Sequence, residues 1–275
     1  MIERNLSDHV GDQRREADQA LAELGDAYYR RQVEGQRALD RWEAARASKS
    51  WWKRVRGVET PEEAAAWGGT RAALADLDEA KSAFETGKIN QQKLVTGEQG
   101  ERVLLDHLSD RPHQWVVFNG YRNRRGEIDH LVLGPMGLWA VEVKNRRVLL
   151  EVSGQEWVAN KLDTAGKVVG EEPAADQGGQ GRNWGRQVAE PAELLADHLA
   201  DKGQVIPVRT AVLLVKPGAK VGRSTDPGID LVTADLFELD RAIKMLSHPL
   251  DEAEVAALAE LIESHHHYHA ARRSA

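Results

Sequence analysis

Three ionisable residues stand where the strand pattern leaves them little water. The run Gly126-Glu127-Ile128-Asp129-His130-Leu131-Val132-Leu133-Gly134-Pro135-Met136-Gly137-Leu138-Trp139-Ala140-Val141-Glu142-Val143-Lys144-Asn145 reads as two apolar strands joined by a Gly-Pro-Met-Gly turn, yet Asp129, Glu142 and Lys144 lie inside those strands. Side chains alternate across a strand, so Leu138, Ala140, Glu142 and Lys144 share one face while Trp139, Val141 and Val143 share the other. Pairing the two strands as a hairpin brings Asp129 within a cross-strand step or two of Glu142. Two carboxylates that close repel, and ionised groups on a half-buried sheet surface are costly unless something compensates them. A divalent cation compensates both. Oxygen ligands from Asp129 and Glu142, with a backbone carbonyl such as that of Val143, suit Mg2+ (or Mn2+), which prefers hard oxygens. The Lys144 ammonium, beside a metal-bound water, can hold that water or stabilise charge on an attacked phosphate. This set is suited to hydrolysing a phosphodiester. A solvent-facing salt-bridge cluster is the competing reading, and the apolar neighbours speak against it.

Positive charge flanks these residues. Arg122, Arg124 and Arg125 precede Asp129, and Arg146 and Arg147 follow Lys144, which is what a track for a phosphate backbone needs. The whole chain carries a net charge of -7, so any attraction for nucleic acid must be local. The 275 residues include no cysteine, which removes disulfides and thiolate chemistry, and 41% hydrophobic content can fill a core. The opening MIERNLSDHVGDQRRE has no apolar signal-peptide run and no stretch is long and apolar enough to span a bilayer, so a cytoplasmic location is expected.

The elements that must hold these residues follow from periodicity and caps. From Asn5 to about Ser48 the chain is Ala-, Glu-, Gln- and Arg-rich without proline, and a seven-residue spacing links Val10, Ala17, Leu24, Arg31, Ala38 and Ala45. That stripe is a weak coiled-coil seam and suits a helix pair better than a long dimeric rod. Thr60-Pro61-Glu62-Glu63 starts a second helix, with Trp67, Leu74, Leu77 and Phe84 inward, and Gly87 to Thr96 reads as a linker. A further helix should run from Glu98 to about Leu108, followed by a strand at 114–118 and the two strands already described. More extended chain is expected at 148–152 and 157–158, then a long Gly-, Pro- and acid-rich loop at 170–185. A helix from about Gln187 to Leu199, strands at 208–215 and 229–232, and helices at 234–246 and 251–263 complete the chain. This order implies an α/β (α+β) core with a mixed sheet.

Gly97-Glu98-Gln99-Gly100-Glu101, then Glu127-Ile128-Asp129, then Glu142-Val143-Lys144-Asn145, resemble the nuclease-related domain family, a branch of the PD-(D/E)XK nuclease superfamily. The resemblance covers about Thr96 to Leu199 and implies a restriction-endonuclease-like mixed central sheet flanked by helices, here preceded by an N-terminal α-helical hairpin. It further implies that Asp129 and Glu142 hold the metal, that Lys144 assists the nucleophilic water, and that Glu98 or Glu101 supplies a helical acid. Gln187 is similar to the glutamine that related nucleases place near the metal. The first acid follows Glu-Ile rather than Pro, which departs from the superfamily's literal first motif. The expected divisions are a coiled-coil-like helical hairpin over 1–90, the nuclease-like domain over 96–264 and a His-rich flexible tail over 265–275.

Other motifs carry less. Gly178-Gly179-Gln180-Gly181 lacks the Gly-Lys-Ser/Thr ending of a phosphate loop and reads as loop. His265, His266, His267 and His269 could take a transition metal, but their terminal place suggests a frayed tail. Trp51-Trp52-Lys53-Arg54-Val55-Arg56 suits a membrane interface or a nucleic-acid strand, with packing of the hairpin turn against the following domain as the ordinary reading. The expected function is a Mg2+-dependent nuclease whose partner is nucleic acid, DNA foremost. The alternative is a catalytically silent nucleic-acid-binding or scaffold module, self-associating or binding protein through residues 1–90, or membrane-peripheral through its N-terminal region.

Overall fold

The computed structural model describes residues 1–7, 9–175, 181–245 and 249–272. It divides into a helical unit, Val10–Val95, and a sheet unit made of Met1–His9 and Thr96–Ala275. The Gly178-Gly179-Gln180 part of the glycine run and Arg273 lie outside the described residues.

In the helical unit, α1 (His9–Ala47), the short α2 (Trp51–Val55) and the first part of α3 (Pro61–Leu108) form an antiparallel pair. The pairing is read from side chains that fall in reverse order along the two helices. Gln91 donates to Asp18 at 2.6 Å, Tyr28 stacks on Phe84 at 5.8 Å, the Thr70 hydroxyl donates to the Ala38 carbonyl at 3.0 Å, and Trp42 meets Trp67 at 4.9 Å. The linker expected from Gly87 to Thr96 is helix instead. Gly87 does not break the chain because it serves as a notch: a Cβ there would lie 2.9 Å from Leu24 Cδ1 and 3.2 Å from Leu21 Cδ1. Packing against α1 outweighs the roughly 1 kcal/mol that glycine costs inside a helix.

The sheet unit is built on a six-stranded sheet in the order β1 (Ile2–Asn5), β2 (Val116–Asn123), β3 (Gly126–Gly134), β4 (Gly137–Lys144), β8 (Val208–Leu214) and β10 (Leu231–Thr233). β2, β3 and β4 form an antiparallel meander, while β4 pairs with β8 in parallel. β1 was not foreseen: it joins the edge of this sheet by pairing in parallel with β2, so the first residues of the chain belong with the sheet and not with the hairpin. A second, four-stranded sheet has the order β7 (Val168–Pro173), β6 (Glu156–Leu162), β5 (Val148–Ser153) and β9 (Lys220–Thr225). β7 takes up the start of the segment expected to be loop.

Helices cover both faces of the main sheet. On one, α4 (Trp184–Asp201) and α6 (Glu252–Ala271) bury Val188, Leu195, Leu199, Leu258 and Ile262 against Leu131, Leu138 and Ala140. On the other, the C-terminal part of α3 and α5 (Leu236–Lys244) bury Leu104, Leu108, Leu239 and Ile243 against Val132, Trp139 and Val141. The two apolar faces of β4 are those that alternation requires, and the mixed α/β architecture with flanking helices is the one expected. The histidine tract differs. α6 runs on to Ala271, with His265 and His266 buried, because the Tyr121 hydroxyl meets His265 Nδ1 at 2.5 Å and the Arg122 N–H donates to His266 Nδ1 at 3.1 Å. These bonds extend the buried face of α6 two turns past Leu258.

Candidate active site

β4 is an inner strand, so a charge on it meets neighbours from both sides. Its last residues, Glu142, Val143 and Lys144, pair with Val212, Leu213 and Leu214 of β8, while the β3–β4 ladder stops at His130–Val141. Beyond that point the Asp129 side chain replaces the backbone: its Oδ2 accepts the Val143 N–H at 2.7 Å. Asp129 is thereby fixed at the mouth of the hairpin, one step from Glu142.

Glu142 is 6% exposed, and Lys144 Nζ donates to its Oε1 at 2.6 Å. The same ammonium donates to Gln187 Oε1 at 3.0 Å and lies 5.8 Å from the centre of the Trp184 ring. Gln187 and Trp184 come from the first turn of α4, where the Asn183 side chain caps the helix by accepting the Arg186 N–H at 2.8 Å. Gln187 is itself buried, and its Nε2 donates to the Arg182 carbonyl at 3.2 Å. The helix begins at Trp184, three residues before the expected Gln187, because Trp184 N–H also bonds the Ala174 carbonyl at 2.9 Å.

From the other side comes α3. Gly100 is buried, and a Cβ on it would lie 2.6 Å from the Cβ of Asn145, so only glycine lets this helix approach the end of β4 so closely. Asn145 Nδ2 donates to the Thr96 carbonyl at 2.7 Å, tying strand to helix. The next residue, Glu101, feels the site. Its carboxyl is pushed up to about 7, first by burial and then by Glu142, Glu127 and Glu98. The Asp129 carboxyl stands well above the usual carboxylate range, raised by burial and then by Glu142, while Lys144 opposes the shift. Asp129, Glu142, Glu101 and Lys144 therefore share one field. Glu98 is exposed, and it acts on Glu101 from the previous turn.

A family model described as nuclease-related domain matches residues 96–215. Over those residues the chain is similar to the nuclease-related domain family. Searches of curated proteins and of solved structures returned no match. The nuclease-related domain spans the part of α3 that carries Glu98 and Glu101, the meander with Asp129, Glu142 and Lys144, and the start of α4 with Gln187.

The flanking arginines are not equivalent. Arg124 and Arg125 are exposed in the β2–β3 turn of the nuclease-related domain, whereas Arg122 is ion-paired with Glu127 and Arg146 with Glu172. Arg147 Nε donates to the Pro217 carbonyl at 3.0 Å. Trp184, Gly100 and Asn145 were missed as residues that shape the site. A signal existed for one of them: Gly100 sits inside a helix-forming run, where a glycine needs a packing reason.

Proposed function

We propose that the nuclease-related domain hydrolyses phosphodiester bonds of nucleic acid with the help of a divalent ion, Mg2+ or Mn2+. One observation supports this reading above the rest: a buried Glu142 accepts from Lys144, which Gln187 also holds, and two further carboxyls, Asp129 and Glu101, have their proton affinity raised by burial and then by Glu142. Three carboxyls against one ammonium leave an excess of negative charge in a place with little water, and every donor is a hard oxygen. That donor set fits Mg2+ or Mn2+. Among the described residues no group of three or more His, Asp or Glu stands ready to hold an ion unaided. Asp129 and Glu142 would be the carboxylate ligands, with the Val143 carbonyl beside them and water or phosphate oxygens for the remainder, as Mg2+ commonly keeps. The bound ion would supply a more acidic water and charge neutralisation at the phosphate.

The chain's own groups divide the remaining work. Lys144, fixed by Glu142 and Gln187, would orient the attacking water or meet the developing negative charge on phosphorus oxygens. Val143 N–H keeps Asp129 turned toward the site, and the buried Trp184 ring lies beside the ammonium. Glu101 would accept or release a proton at the site's edge. Arg124 and Arg125, roughly 13–17 Å of extended chain from Asp129, would seat the polynucleotide backbone, while Arg122 and Arg146 would have to exchange a carboxylate for a phosphate.

The test is cleavage of single-stranded and duplex DNA and of RNA by the purified protein with Mg2+, Mn2+ or a chelator. The expected result is metal-dependent cleavage that falls on the order of 100-fold or more in Glu142→Ala and in Lys144→Ala. Binding without any cleavage that these variants abolish would overturn the enzymatic reading in favour of a silent nucleic-acid-binding module.

A further inference from the structure

The turn of the helical hairpin is unlike the rest of the chain. Lys49-Ser50-Trp51-Trp52-Lys53-Arg54-Val55-Arg56 holds four basic residues and no acid, in a protein of net charge -7. Lys49 is ion-paired with Glu63, so the basic character presented outward comes from Lys53, Arg54 and Arg56, all exposed. Trp51, Trp52 and Val55 are 60%, 65% and 65% exposed, and Val58 follows at 48%. These side chains do not serve as core, which removes the packing explanation for the double tryptophan.

The short helix sorts them. At about 100° per residue, Trp51, Val55 and Trp52 fall within one arc, and Arg56, Lys53 and Arg54 fill the remainder of the circle. The arrangement is held in shape: Val58 N–H bonds the Lys53 carbonyl and Gly57 N–H bonds the Arg54 carbonyl, each at 3.2 Å, with Gly57 at φ 63°. This is the glycine-terminated helix end in which a residue with a side chain would be strained. A fixed apolar arc bordered by cations is the pattern of an interfacial anchor: indole rings settle at the level of lipid headgroups, while lysine and arginine stems reach back toward phosphates.

We propose that the hairpin turn docks on an anionic lipid bilayer surface through Trp51, Trp52 and Val55, with Lys53, Arg54 and Arg56 bound to lipid phosphates. A single nucleic-acid strand is the rival occupant, and two observations disfavour it. The Trp51 and Trp52 rings meet edge to face, with centroids 4.4 Å apart at 74°, so they do not offer two parallel platforms for successive bases. Val55 and Val58 add exposed aliphatic surface that a polynucleotide would leave wet and that a bilayer would cover.

Flotation of the full chain with phosphatidylcholine vesicles, with and without 30% phosphatidylglycerol (about one anionic lipid in three), tests the proposal. The expected result is capture by the anionic vesicles alone, weakened by high salt. Capture should fall at least tenfold in Trp51→Ala/Trp52→Ala and about fivefold for each of Lys53, Arg54 and Arg56 changed to Ala. Circular dichroism should show unchanged helix content, since these side chains are exposed. Nuclease assays on the same variants separate this surface from the site around Glu142. Equal capture of wild type and the tryptophan variant would overturn the proposal, as would no capture at all. Loss of oligo-dT binding in that variant, without any vesicle binding, would assign the turn to nucleic acid instead.

Discussion

Lys144 is the one cation among three carboxyls, and that imbalance makes its two neighbours unequal to mutation. Removing the ammonium takes from the buried Glu142 its ion pair with Lys144 and removes the charged one of the two groups that draw the Asp129 carboxyl toward ionisation, leaving the Val143 N–H. Removing the charge of Glu142 instead relieves Asp129 and Glu101, both of which it raises, and leaves Lys144 bonded to Gln187. Lys144→Met should therefore destabilise the metal-free protein by about 3 kcal/mol, and Glu142→Gln by about 1 kcal/mol or less. Urea unfolding in the presence of a chelator measures both. Equal losses would mean that the two act as an isolated ion pair, with no shared field. Alternation along a strand sufficed to put Glu142 and Lys144 on one face, and turn position sufficed to bring Asp129 near them. Of their other contacts, Gln187 came only from the family resemblance and Trp184 was out of reach, because both arrive from a helix 40 residues or more away whose packing no local period encodes.

At the level of elements, Gly97 and Gly100 make a matched pair on the site-facing end of α3. A Cβ at Gly97 meets nothing within 4 Å, while one at Gly100 would run into the Asn145 Cβ at 2.6 Å. Gly97→Ala should stabilise by up to about 1 kcal/mol through helix propensity alone. Gly100→Ala should cost roughly 1–3 kcal/mol by overpacking and lower cleavage by moving Glu101 away from β4. Thermal melts of both variants beside a cleavage assay read the contrast. The same helix shows where sequence patterns mislead. Gly87 to Thr96 read as a linker because glycine weakens an isolated helix, and the chain overrides that weakness at Gly87, where Leu21 and Leu24 need room. Start signals were uneven: Thr60-Pro61 does start α3, while the start expected at Glu98 falls inside that same helix. Strands β1 and β9, on the margins of their sheets, carried too short or too polar a pattern to be seen.

For the molecule as a whole, the histidines of α6 tie global stability to pH. The His265 pKa is lowered to about 4, by burial first and then by His198, His269, Arg124 and His266, and His266 is lowered by burial and by His267 and Arg122. Both rings are thus neutral in the fold but bind a proton near 6.5 once unfolded. Their contribution is complete above about pH 6.5 and is lost as the pH falls toward about 4. The melting temperature should drop across that window more steeply in the wild type than in His265→Gln, which has no proton to gain. The edge strand β1 carries a different consequence. Ile2 pairs with Val116, so on the ribosome the first strand emerges about 110 residues, on the order of 5–20 s, ahead of its mate. Throughout that interval the hairpin can form while β1 waits uncovered, so a strand made before the hairpin finds its place only after it.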